Sequence, residues 1–308
     1  MTLQQLRYII TLDEYRHFGH AAEACGLTQP TLSLMIRKLE EELDVRIFDR
    51  QAYPPVPTEI GRQIIDQARI VLYNAAQIPE LIRKRKDTLE GSLRIGLIST
   101  VAPVLVPALF RYFGRNHPAV SLQTEEMLTG TIKDKLHRAE VDLGILTAPV
   151  GDPNLLEIPL YTERFYAYVS ENDPAYALES IPSSSLRTRP IWIMKDGLRL
   201  FDPAELQPGE RVIYENYFEG GRVGTLIQIV SDNGGMTIIP ETQIGLILYS
   251  LQKNLRPIVD PERKRTIVLA VRKDFIREGM LNAVVRAIKS VIPGTLLESM
   301  VRGDHIRL

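Results

Sequence analysis

Apolar positions recur at helical steps along the first fifty residues. Leu3, Leu6 and Ile10 form one stripe, and Leu32, Ile36, Leu39 and Leu43 form another at steps of four, three and four. Thr2 and Gln5 have the spacing of a capping box for the first of these helices. Between the stripes, small Ala21 and Ala22 allow two helices to cross closely, and Gly26 supplies a turn. Thr28 is placed to cap the next helix, with Gln29 and Pro30 in its first turn. From Val45 to Pro57 the chain is too proline-rich for a helix and has room for a small β wing. The pattern predicts three short helices, the second and third around a tight turn, followed by room for a small wing.

The helical period continues beyond Thr58. Gly61, Ile64, Ala68, Val71, Ala75, Ile78 and Ile82 alternate steps of three and four toward Lys86, a heptad seam suited to a two-stranded coiled coil. Pro79 is expected to kink or end that helix near Ile78, because it lacks an N–H and crowds the preceding turn. Glu90-Gly91-Ser92 reads as a domain boundary.

After that boundary the pattern changes. Strands are predicted at Leu93–Ile98, Val120–Glu125, Asp142–Leu146, Phe165–Val169, Ile191–Met194, Val212–Tyr214, Met236–Ile239 and Thr266–Val271. Helices are predicted at Pro103–Gly114, Thr131–Arg138, Val223–Ser231, Glu241–Tyr249 and Gly279–Ser290. Such alternation implies an α/β region of mostly parallel sheets with helices on both faces.

Candidate chemistry concentrates at the second helix of the turn. Gln29, Ser33 and Arg37 share a face beside the buried stripe, with Pro30 adjacent. An amide, a hydroxyl and a guanidinium at the exposed start of such a helix suit base edges and phosphates. Charge complicates this reading. The 308-residue chain has a net charge of −1, and Glu40, Glu41, Glu42, Asp44 and Asp49 offset the arginines near the turn. Affinity for DNA must then come from locally placed Arg37, Lys38, Arg46 and Arg50, and from two copies binding together. The acidic residues after Leu39 are expected to face away from DNA.

These residues closely resemble the amino-terminal domain of LysR-type transcriptional regulators. The match runs through Leu6, Phe18, Ala21-Ala22, Thr28-Gln29-Pro30-Thr31-Leu32-Ser33, Ile36-Arg37-Lys38-Leu39-Glu40, Leu43, Ile47-Phe48, Arg50, Thr58 and Gly61. The resemblance implies an all-α winged helix-turn-helix over 1–58 and a dimerising linker helix over 59–90. It also implies a two-lobed α/β effector domain like periplasmic binding proteins over 91–308. Lobe I would cover about 91–162 and 267–308, and lobe II about 163–266. Thr28, Gln29, Pro30, Thr31, Ser33, Arg37 and Lys38 would then face DNA, with Arg50 near the phosphates. Ile64, Ala68, Val71, Ala75 and Ile78 would line the dimer seam.

Within the family, Arg16-His17-Phe18, Leu93 to Val101, Lys195-Asp196-Gly197, Gly235 to Pro240 and Arg263 to Ile267 resemble the peroxide-sensing OxyR branch. One departure matters for mechanism. That branch senses peroxide with a cysteine after the Asp-Gly pair and a second one shortly beyond. Here those places fall at Arg199 and near Pro208, and the single cysteine is Cys25. No intramolecular disulfide can form.

In open α/β sheets, ligands sit beyond the carboxyl ends of strands, often at helix amino termini. Ser99, Thr100, Thr129, Gly130, Thr131 and Thr147 occupy such places and suit a small polar or anionic effector. Arg199 and Asn216 to Phe218 are the candidates to close over it from the second lobe. Arg199 would either bind an anion or form a fixed ion pair.

The remaining signals narrow the reading. Cys25 is read as a buried structural thiol, and a single cysteine fits a reducing cytoplasm. No membrane span, signal peptide, catalytic constellation, metal site or cofactor motif is expected. The wing segment Gln51-Ala52-Tyr53-Pro54-Pro55 lacks the basic residues with which many family members reach the minor groove. The sequence therefore reads as a cytoplasmic, non-enzymatic regulator resembling OxyR and linked to oxidative stress. It would bind inverted-repeat duplex DNA as a dimer or tetramer, meet RNA polymerase, and respond to a small molecule. A ligand-independent DNA binder and a solute-binding α/β protein are the alternatives.

Overall fold

The computed structural model describes residues 1–49, 51–83, 89–187, 191–194, 216–218 and 222–302. Contacts divide the chain into two units, Met1–Asp87 with Asp134–Glu140, and Thr88–Lys133 with Val141–Leu308.

The first unit opens with α1 (Leu3–Tyr15), α2 (Phe18–Ala24) and α3 (Gln29–Leu43). The Thr2 hydroxyl accepts the Gln5 N–H while the Thr2 N–H donates to Gln5 Oε1, so the capping box forms. Leu6, Ile9, Ile10 and Leu12 are buried, whereas Leu3 is exposed. Leu3 therefore does not belong to the core stripe. It borders an open surface groove beside Ala24 and Cys25 instead of entering the core. Gly26 sits at φ +67° between α2 and α3, as the turn requires. Thr28 caps α3 by accepting the Thr31 N–H, and Leu32, Ile36 and Leu39 are fully buried.

The wing is a two-residue antiparallel pair, β1 (Phe48–Asp49) and β2 (Val56–Pro57). Its base is tied to α3 by Glu40. That carboxylate is buried, and its Oε1 accepts the N–H groups of Ile47 at 2.9 Å and Phe48 at 3.2 Å. Glu40 thus turns inward, unlike a solvated acidic residue, because it satisfies two buried backbone donors.

Helix α4 (Glu59–Arg83) starts at Thr58, whose hydroxyl accepts the Gly61 N–H and donates to the Arg46 carbonyl. Gly61 is a close-packing residue. A Cβ there would lie 1.9 Å from the Ile47 carbonyl oxygen. The helix runs through Pro79 to Arg83 and does not end near Ile78. Only one intrahelical bond is lost at Pro79, close to the carboxyl end, and the long helix tolerates it.

From Gly91 the chain alternates β3 (Gly91–Leu97), α5 (Ala102–Asn116), β4 (Val120–Glu126), α6 (Thr129–His137), β5 (Leu143–Thr147) and β6 (Leu155–Val169). Then follow β7 (Ile181–Pro182), β8 (Ile191–Met194), β9 (Asn216–Phe218), α7 (Val223–Asn233), β10 (Met236–Pro240), β11 (Leu255–Val259), β12 (Lys264–Arg272), α8 (Glu278–Lys289) and α9 (Ser299–Arg302). One lobe orders its strands β4-β3-β5-β12-β6, with β3 parallel to β4 and β5. The other orders them β6-β10-β8-β9. The fifteen-residue β6 belongs to both, so it is the physical join of the lobes. At the crossing, β6 and β12 are antiparallel, with Thr162 opposite Thr266 and Glu163 opposite Arg265.

The helix predicted over Glu241–Tyr249 is instead two short 3-10 turns, Glu241–Leu246 and Tyr249–Asn254. Gly245 and three β-branched residues lower helix propensity there, and Leu246, Leu248 and Tyr249 point outward instead of forming a buried stripe. The strand predicted at Val212–Tyr214 lies outside the described residues.

Candidate nucleic-acid interface and effector cleft

On α3, Gln29, Pro30, Arg37 and Lys38 are exposed, as is the Thr28 cap, while Thr31 and Ser33 are half-buried. The buried Leu32-Ile36-Leu39 stripe fixes which side faces out, and the opposite side offers amide, hydroxyl and cationic donors. Arg50 lies outside the described residues. His17 caps α2, its Nδ1 accepting the N–H groups of Gly19 and His20. Cys25 is half-buried against the helical core.

The linker residues separate into two groups. Ala68 is buried in the core of its own unit, and Ile64 and Val71 pack against that core. Ala75 is half-buried and Ile78 is 62% exposed. Arg69 adds a polar clamp between α4 and α1, with Nη1 2.9 Å from Glu14 Oε1 and Nη2 3.1 Å from Asp13 Oδ2. Opposing effects act on its guanidinium: burial, the largest, lowers its pKa, but the hydrogen bond to Glu14 and the other acidic contacts raise it overall.

In the effector domain, Thr100 and Thr147 are buried, Ser99 and Thr129 are half-buried, and Gly130 and Thr131 are exposed. Asn216 and Phe218 lie on β9, paired with Trp192 and Met194 of β8. Arg199 lies outside the described residues.

Thr100 is the centre of a buried polar chain. Its hydroxyl accepts Arg265 Nη1 at 2.8 Å, and its carbonyl accepts Gln243 Nε2. Arg265 Nε donates to Glu163 Oε1 at 2.8 Å. Glu163 Oε2 in turn accepts the Thr242 N–H at 3.0 Å and the Thr242 hydroxyl at 2.6 Å. Both charged side chains are essentially excluded from solvent, and the guanidinium also lies over the Phe165 ring. Burial, and then the Glu163 charge, push the neighbouring Tyr161 phenol well above its usual range. The chain joins the end of β3, the crossing strands and the turn after β10, so it spans both lobes.

Glu163, Arg265, Thr242 and Gln243 do not stand out in the sequence as site residues. The one local signal was parity: Glu163 shares a strand face with apolar Tyr161 and Phe165, which points an acidic residue inward.

Together these features define a DNA-binding regulator: a winged helix-turn-helix on one chain with a two-lobed α/β effector domain. Residues 3–62 match the bacterial regulatory helix-turn-helix model of the lysR family, and residues 86–292 match the LysR substrate binding domain. The chain belongs to the LysR family of transcriptional regulators.

Its relatives sharpen the placement. It is 30% identical over 301 residues to the hydrogen peroxide-inducible genes activator of Haemophilus influenzae, covering 96% of this chain and 99% of that protein. It is 30% identical over 295 residues to the dual regulator OxyR of Escherichia coli, covering 96% and 97%. A full-length cysteine-to-aspartate variant of Pseudomonas aeruginosa OxyR superposes with a TM-score of 0.80 at 32% identity, covering 97% and 98%. This chain therefore resembles OxyR, and these relatives are regulators rather than enzymes. It has one cysteine, Cys25, so it lacks a redox pair. Among the described residues, no helix is long and apolar enough to cross a membrane.

Proposed function

We propose that this chain is a cytoplasmic regulator of stress-related genes that reads inverted-repeat DNA through α3 and receives its signal without disulfide chemistry. The single cysteine supports the second half of that reading, since an intramolecular disulfide needs two. The proposed organisation is a DNA-binding domain over 1–58, a linker over 59–90 and an effector domain over 91–308. Within the last, residues 91–162 and 267–308 make lobe I and 163–266 lobe II. Thr28, Gln29, Pro30, Thr31, Ser33, Arg37, Lys38 and Arg50 would meet DNA. Two copies would pair along the linker, with Ala75 and Ile78 facing the partner and Ile64, Ala68 and Val71 supporting the helix from within their own unit. Pairing of effector domains would give the tetramer, and a change in lobe geometry would alter DNA bending and the approach of RNA polymerase.

The effector would be a small polar molecule held by Thr100 with Ser99, Thr129, Gly130, Thr131 and Thr147, and covered by Arg199, Asn216 and Phe218. Glu163 already neutralises Arg265, so that guanidinium offers an anion little net charge. A neutral hydrogen-bonding molecule competing for the Thr100 hydroxyl is the better fit. Titration of small solutes against purified wild-type and Thr100→Val protein, read by thermal shift, tests this. A stabilising solute that loses its effect in Thr100→Val supports the site, and one that stabilises both equally places it elsewhere.

A further inference from the structure

Helix α3 carries a leucine at the centre of its outward face. At about 100° per residue, Leu34 lies about 160° round the helix from Leu32 and Ile36 and about 140° from Leu39. Those three are fully buried, so Leu34 points away from the core, and it is 48% exposed. The half-covered side chains of α3 that pack on the helical core are Met35 and Leu43, and Leu34 is not among them. Its neighbours one turn away are Pro30 and Lys38, with Arg37 on the adjoining ridge, and all three are exposed. Glu41, two turns on, closes this apolar and cationic stretch. A solitary exposed leucine is ordinary on a protein surface. This one stands beside two cations on the face that the fold leaves open, where amphipathic patterning calls for a polar residue.

We propose that Leu34 reads a thymine in the major groove, its isobutyl group covering the C5 methyl of the base. The inference rests on the DNA-reading role of α3 and adds the chemistry of one position to it. In the major groove thymine alone shows an apolar methyl, and the other bases present donors and acceptors. A leucine side chain can neither donate nor accept. Against guanine, cytosine or adenine it would strip water from polar edge atoms and give nothing back. Against thymine it buries two apolar surfaces together. Arg37 and Lys38 would hold the helix in the groove through phosphates, leaving Leu34 to discriminate. Selectivity then comes from a contact with one base and a desolvation cost with the other three.

The test uses duplexes selected from a random pool by the full wild-type chain, with each thymine of one half-site replaced in turn by deoxyuridine. That exchange removes the C5 methyl and leaves base pairing unchanged. Fluorescence anisotropy is expected to show one thymine whose exchange weakens wild-type binding about 4-fold, the scale of burying one methyl. Leu34→Ala is expected to bind the thymine and deoxyuridine duplexes equally, because methyl and side chain form one coupled pair. It should keep the salt dependence of wild type, whereas Arg37→Ala should flatten the log K against log salt line by about one unit. A Leu34→Ala protein that still loses affinity on the same exchange would overturn the proposal. So would a wild-type protein indifferent to deoxyuridine at every position. Failure to select any duplex, even at low salt, would overturn the DNA-reading role of α3 and the proposal with it. Leu34 faces away from the core, so Leu34→Ala should melt with wild type; a lowered melting point would mean the side chain packs within the domain and would also overturn the proposal.

Discussion

Removing Arg265 should be far more damaging than removing a surface arginine, because of what it leaves behind. In Arg265→Met the Glu163 carboxylate would keep its two bonds from Thr242 but lose its guanidinium, in a site that solvent does not reach. Uncovering one partner of a buried ion pair costs about 3–5 kcal/mol. For a unit of this size each kcal/mol lowers the melting temperature by about 2–4 °C, so the expected drop is about 6–20 °C. The double variant Glu163→Gln with Arg265→Met removes both charges and should recover most of that loss, since the amide can still bond Thr242. Thermal and urea unfolding of all four proteins closes the cycle. Two results would refute the reasoning: a single variant that loses under about 1 kcal/mol, the range of exposed pairs, or a double variant no more stable than Arg265→Met. The Thr100 hydroxyl would also lose the Arg265 donor, so limited proteolysis near the crossing strands should speed up in Arg265→Met.

Other sites give separate tests. Gly61→Ala should destabilise the amino-terminal unit by about 1–3 kcal/mol in chemical denaturation, because the new Cβ meets the Ile47 carbonyl and neither backbone can easily move. Glu40→Ala leaves the Ile47 and Phe48 N–H groups unpaired; a loss of about 1–3 kcal/mol per group is expected at most, with weaker DNA binding in the same titration. The hydrogen bond from Arg164 holds the Glu241 carboxyl below its usual range. A carboxylate depressed on folding stabilises above its unfolded pKa and loses that contribution as pH falls through its folded value. Glu241→Gln should therefore be less stable than wild type at neutral pH, and the two should converge in acid unfolding below the usual carboxylate pKa.

The DNA-binding helices were legible because their signals are local. Thr28, Pro30 and Gly26 act within a few residues of themselves, and the Leu32-Ile36-Leu39 period sets the exposed face. Strands β3, β4, β5 and β12 of the first lobe were legible for the same reason, but β6 was expected only from Phe165, and its stretch from Leu155 was missed. The polar chain at Thr100 was half legible: its position at the end of β3 marked it, but its partners lie 143 and 165 residues away. No local period carries that information, since register between β6 and β12 decides it. Gly61 fitted a heptad as well as a close contact, and only the path of the Ile47 backbone distinguishes them. The Glu241 segment misled because hydrophobic residues at helical spacing need a surface to cover, and there they face outward.

The most direct single test is a footprint of the full chain on the DNA upstream of its own gene, under reducing conditions, with and without hydrogen peroxide. Two protected half-sites related by inversion, unchanged by peroxide and lost in Arg37→Ala, are the expected result. No protection at any concentration would contradict the DNA-reading role. A footprint that shifts with peroxide, and no longer shifts in Cys25→Ser, would show that the single thiol senses the signal after all.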